Sequence, residues 1–373
     1  MYESEFPLND SLIYLNHAAV SPWPLRTAAA VKRFADENVA CGSQNYPEWM
    51  QLETRLRKQL QQLVNADSSD EIALLKNTSE ALSVVAYGLP WQAGDNVVIT
   101  NREFPSNRVV WESLKKLGVT TIAADLTEHD SAEAAIIACL DENTRLLSVS
   151  SVQYGTGLKL DLPRLGAVCR ERNILFCVDA IQSLGAEVFD VQACHADFVM
   201  ADGHKWMMGP EGVALFYCRQ SRLQMLDLKQ YGWHMLQEPH NFDNHDWEIA
   251  DSARRFECGS PNMTGIHALH ASLSLIEEVG MPEIEKLVRE NSEFIIDFLM
   301  QRQSQYQLLT PTATHRHAGI VTFVPLTETP ESLFAQLSQQ HVACAQRGGG
   351  IRLSAHFYTP RKKLFTALEM LDG

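Results

Sequence analysis

An amine becomes a nucleophile when its surroundings keep it neutral, and the stretch Val199-Met-Ala-Asp-Gly-His-Lys-Trp-Met-Met-Gly-Pro-Glu-Gly212 offers such surroundings to Lys205. The apolar run from Ala196 to Ala201 reads as a buried strand that breaks at Asp202-Gly203, so the lysine emerges at a strand end between His204 and Trp206. Apolar walls lower an amine's pKa by desolvation, and a neutral amine can form an imine with a carbonyl. An isolated lysine beside glycines is ordinarily a solvated loop residue. The rest of the chain must therefore supply the context.

Asp179 ends a second apolar run, Ile174 to Asp179, and precedes Ala-Ile-Gln-Ser-Leu-Gly185. A carboxylate there is partly buried and needs a cationic or donor partner, such as a protonated pyridine nitrogen; capping of a following helix is the plainer alternative. Lys76-Asn-Thr-Ser-Glu-Ala-Leu82 reads as a hydroxyl-rich turn that opens a helix. Its Thr78 and Ser79 hydroxyls, with the free N–H groups of a helix N-terminus, suit a phosphate, although hydroxyl residues also cap helices routinely. Phe104 puts a flat ring in a polar strand-end loop, where it could stack on a flat cofactor. Arg352 alternates with Ile351 and Leu353, so its guanidinium could reach a cleft and bind a carboxylate bidentately. Asn16, His17, Gln153, Tyr154, Trp206, Trp233 and His356 complete the candidate lining of a pocket.

These residues need a frame, and strand-then-helix alternation provides it. Apolar runs at 72–75, 96–100, 120–124, 145–150, 174–179 and 198–200 read as strands with helical stretches between them, and 213–217 as one more. That is the pattern of an α/β domain with a largely parallel sheet, whose ligands bind at the carboxyl ends of the strands. The candidates converge there: Thr78 and Ser79 follow the first strand, Glu103-Phe-Pro-Ser-Asn107 the second, Gln153-Tyr-Gly-Thr-Gly157 the fourth, Asp179 ends the fifth and Lys205 follows the sixth. Leucines 52, 56, 60 and 63 mark an amphipathic packing helix after Pro47. Residues 219–256 read as loop-rich, with Tyr231, Trp233, His234, His240, His245 and Trp247, and they match no tight metal-ligand spacing. No metal is expected; the segment is expected to shape a substrate pocket. Beyond residue 263 the pattern turns to a long helical stretch to Gln303, strands near 320–323 and 342–346, a helix from 330 to 340 and a last one after Pro360, an α+β arrangement.

Composition limits the roles open to the chain. Its 373 residues, 45% hydrophobic, suffice for a large domain with a smaller partner. A net charge of -15 opposes nonspecific binding to nucleic acid or to an anionic membrane, which favours a small-molecule role. Eight cysteines without a Cys-x-x-Cys pair suggest neither a disulfide framework nor a thiolate zinc site. The N-terminal residues lack an apolar targeting core, and no apolar run reaches bilayer-spanning length. A cytoplasmic protein is expected.

The ordered set resembles the class V aminotransferase family of pyridoxal-phosphate (PLP) enzymes, which includes cysteine desulfurases, selenocysteine lyases, kynureninases and isopenicillin N epimerase-like proteins. The resemblance rests on Val178-Asp-Ala-Ile-Gln182 with Gly203-His-Lys205, on Arg255-Phe-Glu-x-Gly-Ser-Pro-Asn262, and on Ile351-Arg-Leu-Ser354. It implies fold type I, the PLP-dependent transferase fold: a large PLP-binding domain, residues 17–255, on a mainly parallel seven-stranded sheet, and a small α+β domain, residues 1–16 with 256–373. It implies Lys205 as the Schiff-base lysine, Asp179 as partner of the pyridinium nitrogen, Phe104 stacked on the ring, and Gln182 facing the phenolic oxygen. Thr78, Ser79 and His204 would hold the phosphate, with Ser260 reaching over from the other subunit of a homodimer. Gln153 falls among the cofactor-binding residues, and Arg352, with Asn16, His17 and His356, among those for the substrate. The expected activity is that of a PLP-dependent transferase on an amino acid or related amine, transamination first, with desulfurase-, selenocysteine lyase- or kynureninase-like lyase chemistry as the alternative and a non-catalytic PLP-binding protein as a third reading. One departure stands out. Desulfurases carry a reactive cysteine on a loop just before the arginine-bearing strand, whereas this chain has Ala343-Cys-Ala-Gln-Arg-Gly-Gly-Gly350, with Cys344 in an apolar, strand-like context.

Overall fold

The computed structural model describes residues 2–243 and 245–371. Met1, Asn244, Asp372 and Gly373, which fall within the expected domains, lie outside the described residues. In chain order the elements are β1 (Ile13–Tyr14), α1 (Leu25–Cys41), α2 (Tyr46–Leu63), β2 (Ile72–Leu75), α3 (Thr78–Gly88), β3 (Asn96–Thr100), α4 (Ser106–Glu112), β4 (Thr120–Ala124), α5 (Ala132–Ala138), β5 (Thr144–Ser150), α6 (Leu162–Glu171), β6 (Leu175–Asp179), β7 (Phe198–Asp202) and β8 (Ala214–Cys218). They continue with α7 (Met263–Val279), α8 (Met281–Met300), β9 (Tyr306–Leu308), β10 (Val321–Pro325), α9 (Pro330–Gln339), β11 (Val342–Ala343), β12 (Ala345–Arg347), β13 (Gly350–Leu353) and α10 (Arg361–Glu369).

Seven strands form one sheet in the order β2-β8-β7-β6-β5-β3-β4. The sheet is parallel except for β8, which runs antiparallel to both β2 and β7. Helices cover both faces, which is why β3, β6, β7 and β8 are buried at every position and read in the sequence as unbroken apolar runs. Alternate side chains enter two separate cores. Val98, Leu147, Phe176, Val178, Val199 and Leu215 face one; Val97, Ile99, Leu146, Leu175, Phe198 and Phe216 face the other. Because β5, β6 and β7 are in parallel register, with Ser150 opposite Asp179 and Asp179 opposite Met200, their carboxyl ends reach the same edge together.

A second sheet, β12-β13-β10-β9, is antiparallel and packs with α8, α9 and α10 around its own core of Ile295, Leu299, Phe323, Leu337, Ile351 and Leu364. The early strand β1 pairs with β11, so residues 13–14 join this later part of the fold.

Three expectations change. The helical stretch expected from 263 to 303 is two helices, because Gly280 adopts φ +84° and Pro282 follows at the start of α8. The strand expected over 342–346 is split at Cys344: Val342 and Ala343 pair with β1, while Ala345 to Arg347 pair with β13. Helix α1 was not anticipated, and the reason is physical. It buries only Thr27 and Ala30 along 17 residues, so it carries almost no apolar stripe to read.

Candidate active site

The carboxyl edge of the large sheet gathers most of the candidates. Lys205 follows β7 on the turn begun by Gly203. The turn is closed from behind by Gly185, at φ +95°, where a Cβ would meet the Trp206 carbonyl oxygen at 2.3 Å. Only glycine fits that conformation and that approach. Burial pushes the Lys205 amine down to about 8; Asp179 and Asp202 oppose the shift and Arg352 adds to it. The ammonium also lies 5.7 Å from the centroid of the Phe104 ring, within cation–π range. The neutral form needed for imine formation is thus accessible near neutral pH.

Asp179 is 2% exposed at the end of β6. Its Oδ1 accepts from the Ile181 N–H at 3.0 Å, in a turn and not at the start of a helix, so helix capping does not account for it. Burial raises the carboxyl to about 7, against the pull of the Ile181 hydrogen bond and of Lys205 and with a further push from the Glu103 charge. A group held this far from its ordinary range lacks a full complement of stabilising partners.

At α3 the helix cap is Asn77, whose side chain accepts from the Glu80 N–H. Thr78 is buried and its hydroxyl accepts from the Asp202 N–H at 3.1 Å, tying the helix start to the Lys205 turn. Ser79 is exposed and donates to Ser106 at 2.8 Å. His204 sits 3.1 Å from Asp202 Oδ1. The helix N-terminus, a free-facing hydroxyl and an imidazole make the donor set a phosphate group requires.

On the opposite side, Arg352 is 3% exposed on β13. It donates from Nη1 to the Tyr154 carbonyl oxygen at 2.9 Å, and burial, with Arg347, lowers its guanidinium to about 10. The Tyr154 ring meets Phe104 edge-on, centroids 5.1 Å apart. Phe104 is 42% exposed, an unusual cost for a large ring unless something covers it.

Other candidates are placed differently. Gln182 is buried with both ends of its amide engaged: Nε2 donates to the Ala18 carbonyl at 3.0 Å and Oε1 accepts from Trp206 Nε1 at 2.9 Å. His17 is fully buried, donating from Nδ1 to the Ser354 carbonyl and accepting at Nε2 from the Tyr358 hydroxyl, both at 2.8 Å; burial lowers it to about 4. His356 accepts from the Phe357 N–H at Nδ1, which leaves Nε2 to donate to the Trp206 carbonyl at 3.0 Å. Both histidines therefore have their ring nitrogens occupied and brace the loop around Trp206. Asn16 is different: its Oδ1 is buried without a partner. Ser260 is exposed in a hollow shared with Lys76, Glu80, Gly212 and Asn262, a wall that Lys205 does not line.

Under this site the strand-end stretches around Glu103 and Gln153 close into a buried polar cage, a joining that the sequence did not show. Gln153 donates from Nε2 to Thr100 and to Glu103, and Glu103 is 6% exposed. Its carboxylate also accepts from Thr100, Asn107 and Ser150. The local signal was the acid at a strand end with Asn107 four residues on. In the 231–247 segment, His234 lies between Glu53 and Glu257, with donor atoms of the three within 4.8 Å. Its Nε2 faces Glu53 at 3.5 Å and its Nδ1 faces Glu257 at 3.4 Å, while Arg57 donates to both carboxylates. One ring with its two nitrogens turned to opposite carboxylates bridges them and does not converge on a point. Among the described residues, no helix is long and apolar enough to cross a membrane.

The residues present fit PLP. Asp179 is an under-partnered buried carboxyl for a ring nitrogen, Lys205 a depressed amine for its aldehyde, and the start of α3 a donor set for its phosphate.

Comparison with known proteins agrees. The family model described as aminotransferase class-V matches residues 13–359. A probable cysteine desulfurase of Methanothermobacter thermautotrophicus is 29% identical over 391 residues, covering 99% of this chain and 96% of its own. The apo structure of a cysteine desulfurase from Thermococcus onnurineus NA1 superposes with a TM-score of 0.86 at 25% identity, over 100% of this chain and 96% of that one. A mutant of C-DES with glycine covalently linked to its PLP cofactor gives a TM-score of 0.91 at 24% identity over 98% of each chain, a likeness of fold.

Proposed function

The chain belongs to the class-V aminotransferase family of PLP-dependent enzymes, and from that premise we propose a lyase that cleaves the carbon–sulfur bond of cysteine or a cysteine-derived amino acid. The observation that carries the reading is the pairing of Lys205, lowered to about 8, with the raised carboxyl of Asp179 at one strand edge, in a chain whose full-length relative is a probable cysteine desulfurase. Nothing in the site favours transamination, the first expectation from the sequence, over elimination. The desulfurase relative supports the lyase alternative.

Bound PLP supplies an electron sink for the bonds at the substrate's Cα. The residues do the rest. Thr78, Ser79 and His204 would bind the phosphate, and Asp179 would hold the proton on the ring nitrogen. Phe104, exposed beside Lys205, would cover the ring and keep water from it. Arg352 grips the substrate carboxylate and so fixes which Cα bond stands across the ring. Lys205, with its lowered amine, would take the Cα proton. The Cβ–S bond then breaks with its electron pair going to sulfur, and the released 2-aminoacrylate takes up water to give pyruvate and ammonia.

The fate of the sulfur follows from Cys344. It is 7% exposed between β11 and β12, and burial pushes its thiol up to about 11. A thiol that is neither ionised nor accessible is a poor acceptor of substrate sulfur. We therefore propose that sulfur leaves on a small molecule, as sulfide from cysteine or as a persulfide from a disulfide substrate. We propose a homodimer by family resemblance.

The test is product analysis with cysteine and cystine. Pyruvate, ammonia and sulfide or persulfide in equal amounts support the reading. Alanine with sulfur on the protein would replace it by a desulfurase, and accumulation of pyridoxamine 5′-phosphate with a keto acid would replace it by a transaminase.

A further inference from the structure

Glu103 is the most heavily hydrogen-bonded carboxylate of the site. Oε1 accepts from the Thr100 hydroxyl at 2.8 Å, from Gln153 Nε2 at 3.1 Å and from the Ser150 N–H at 3.1 Å; Oε2 accepts from Asn107 Nδ2 at 2.9 Å and from the Ser150 hydroxyl at 2.5 Å. The direction of two of these bonds is fixed. Asn107 Oδ1 accepts from Trp111 Nε1, which can only donate, so its amide nitrogen must face Glu103. The Ser150 N–H likewise can only donate. Each carboxylate oxygen is thus met by a group that can only donate, Oε1 by the Ser150 N–H and Oε2 by the Asn107 amide.

The cage reaches three strand ends. Thr100 ends β3, Ser150 ends β5 opposite Asp179, and the Ser151 N–H and hydroxyl both donate to the Asp179 carbonyl. Phe104 is the next residue along the chain, and Tyr154, which receives Arg352, follows Gln153. We infer that Glu103 is a second carboxylate of the cofactor site, a positioning residue that acts with Asp179 to keep a proton on the ring nitrogen while its cage holds Phe104 and Tyr154 in place. This rests on the PLP reading above. The titratable groups that face it are Asp179 and Cys177 on β6, with Lys205 beyond Asp179; the Cys177 thiol is held neutral by burial, and the Glu103 charge adds to that push.

The charge argument is simple. A ring nitrogen paired with one buried carboxylate gains its proton against desolvation, and a second fixed negative charge nearby favours the cation further. Both Glu103 carboxylate oxygens are already engaged within the cage, so it acts on the ring at a distance.

The experiment uses pyridoxine 5′-phosphate, which carries the ring nitrogen and phosphate but no aldehyde, bound to the full chain and titrated by ultraviolet absorbance. Glu103→Gln should lower the pH at which the bound ring loses its proton by about one unit. Ser150→Ala, which loosens the cage and keeps the charge, should leave it unchanged. Asp179→Asn provides an arm that leaves Glu103 intact: its bound ring should still hold the proton to a higher pH than the free ligand does. A Glu103→Gln protein with native circular dichroism and an unmoved midpoint overturns the inference. If that variant does not fold, the Asp179→Asn arm decides, and a midpoint at or below that of the free ligand overturns it. Failure of the unmodified protein to bind the probe at all would sink the cofactor reading, and this inference with it.

Discussion

Arg352 donates from Nη1 to the Tyr154 carbonyl oxygen at 2.9 Å, while its Nε is buried without a partner. The bond to Tyr154 orients the guanidinium and leaves donors for a ligand. Arg352→Lys removes the planar fork and keeps a charge. It should reduce kcat/KM for amino acid substrates by about 10- to 100-fold, mainly through KM. Steady-state kinetics check this, and an amine lacking a carboxylate should show no such difference.

Lys205→Ala should abolish turnover and the visible absorbance of covalently held cofactor, while phosphate contacts at Thr78 and Ser79 still retain some PLP noncovalently. Absorbance spectra after gel filtration, with mass spectrometry after borohydride reduction, read this out. Cofactor still reduced onto the variant chain would overturn the assignment of Lys205.

Asp179 links the site to the stability of the cofactor-free protein. Its carboxyl is raised from 3.8 to about 7 on folding, so between these values the folded chain binds a proton that the unfolded chain does not. Its contribution to stability is complete below the unfolded value and falls as pH rises toward 7. Lys205 acts over a higher window: its amine falls from 10.5 to about 8, so the unfolded chain holds the extra proton between 8 and 10.5 and stability recovers as pH rises through that range. Asp179→Asn should therefore stabilise the cofactor-free protein at pH 8, by roughly 2 to 4 kcal/mol, and flatten the loss between pH 4 and 7. Denaturant melts across pH check it, and the same variant should bind PLP more weakly.

Cys344→Ala should leave carbon–sulfur cleavage within about twofold of the unmodified enzyme and cost about 1 kcal/mol of stability for a small buried side chain. Activity and thermal melts measure both. A hundredfold loss of activity in a folded variant would make Cys344 the sulfur acceptor.

Much of this was legible in the sequence. The buried strands announced themselves because both sheet faces are covered, and the candidates at their carboxyl ends needed only the parallel register to be brought together. His17, His356 and Gln182 were legible as polar residues in the right segments, but not as braces, because each finds its partner far along the chain: Ser354 and Tyr358 for His17, Trp206 for His356 and Gln182. Such pairs have no local spacing to read. Glu103 was hidden for a related reason. Its neighbours Asn107 and Thr100 are close in sequence, yet Ser150 ends the next strand of the sheet and Gln153 lies in the loop beyond it, and only together do they enclose the carboxylate.

The brace that joins His17 to Ser354 spans 337 residues of chain. During synthesis Asn16 and His17 emerge early, and the residue that anchors His17 follows only 337 residues later. The core that runs only as far as Phe256 can close before that moment, but the other, which takes in Phe357 and Tyr358, cannot, and neither can the wall carrying Arg352 or the clasp around Trp206. A chain made only as far as residue 349 therefore has Lys205 without Arg352 across from it and without the His356 bond to the Trp206 carbonyl.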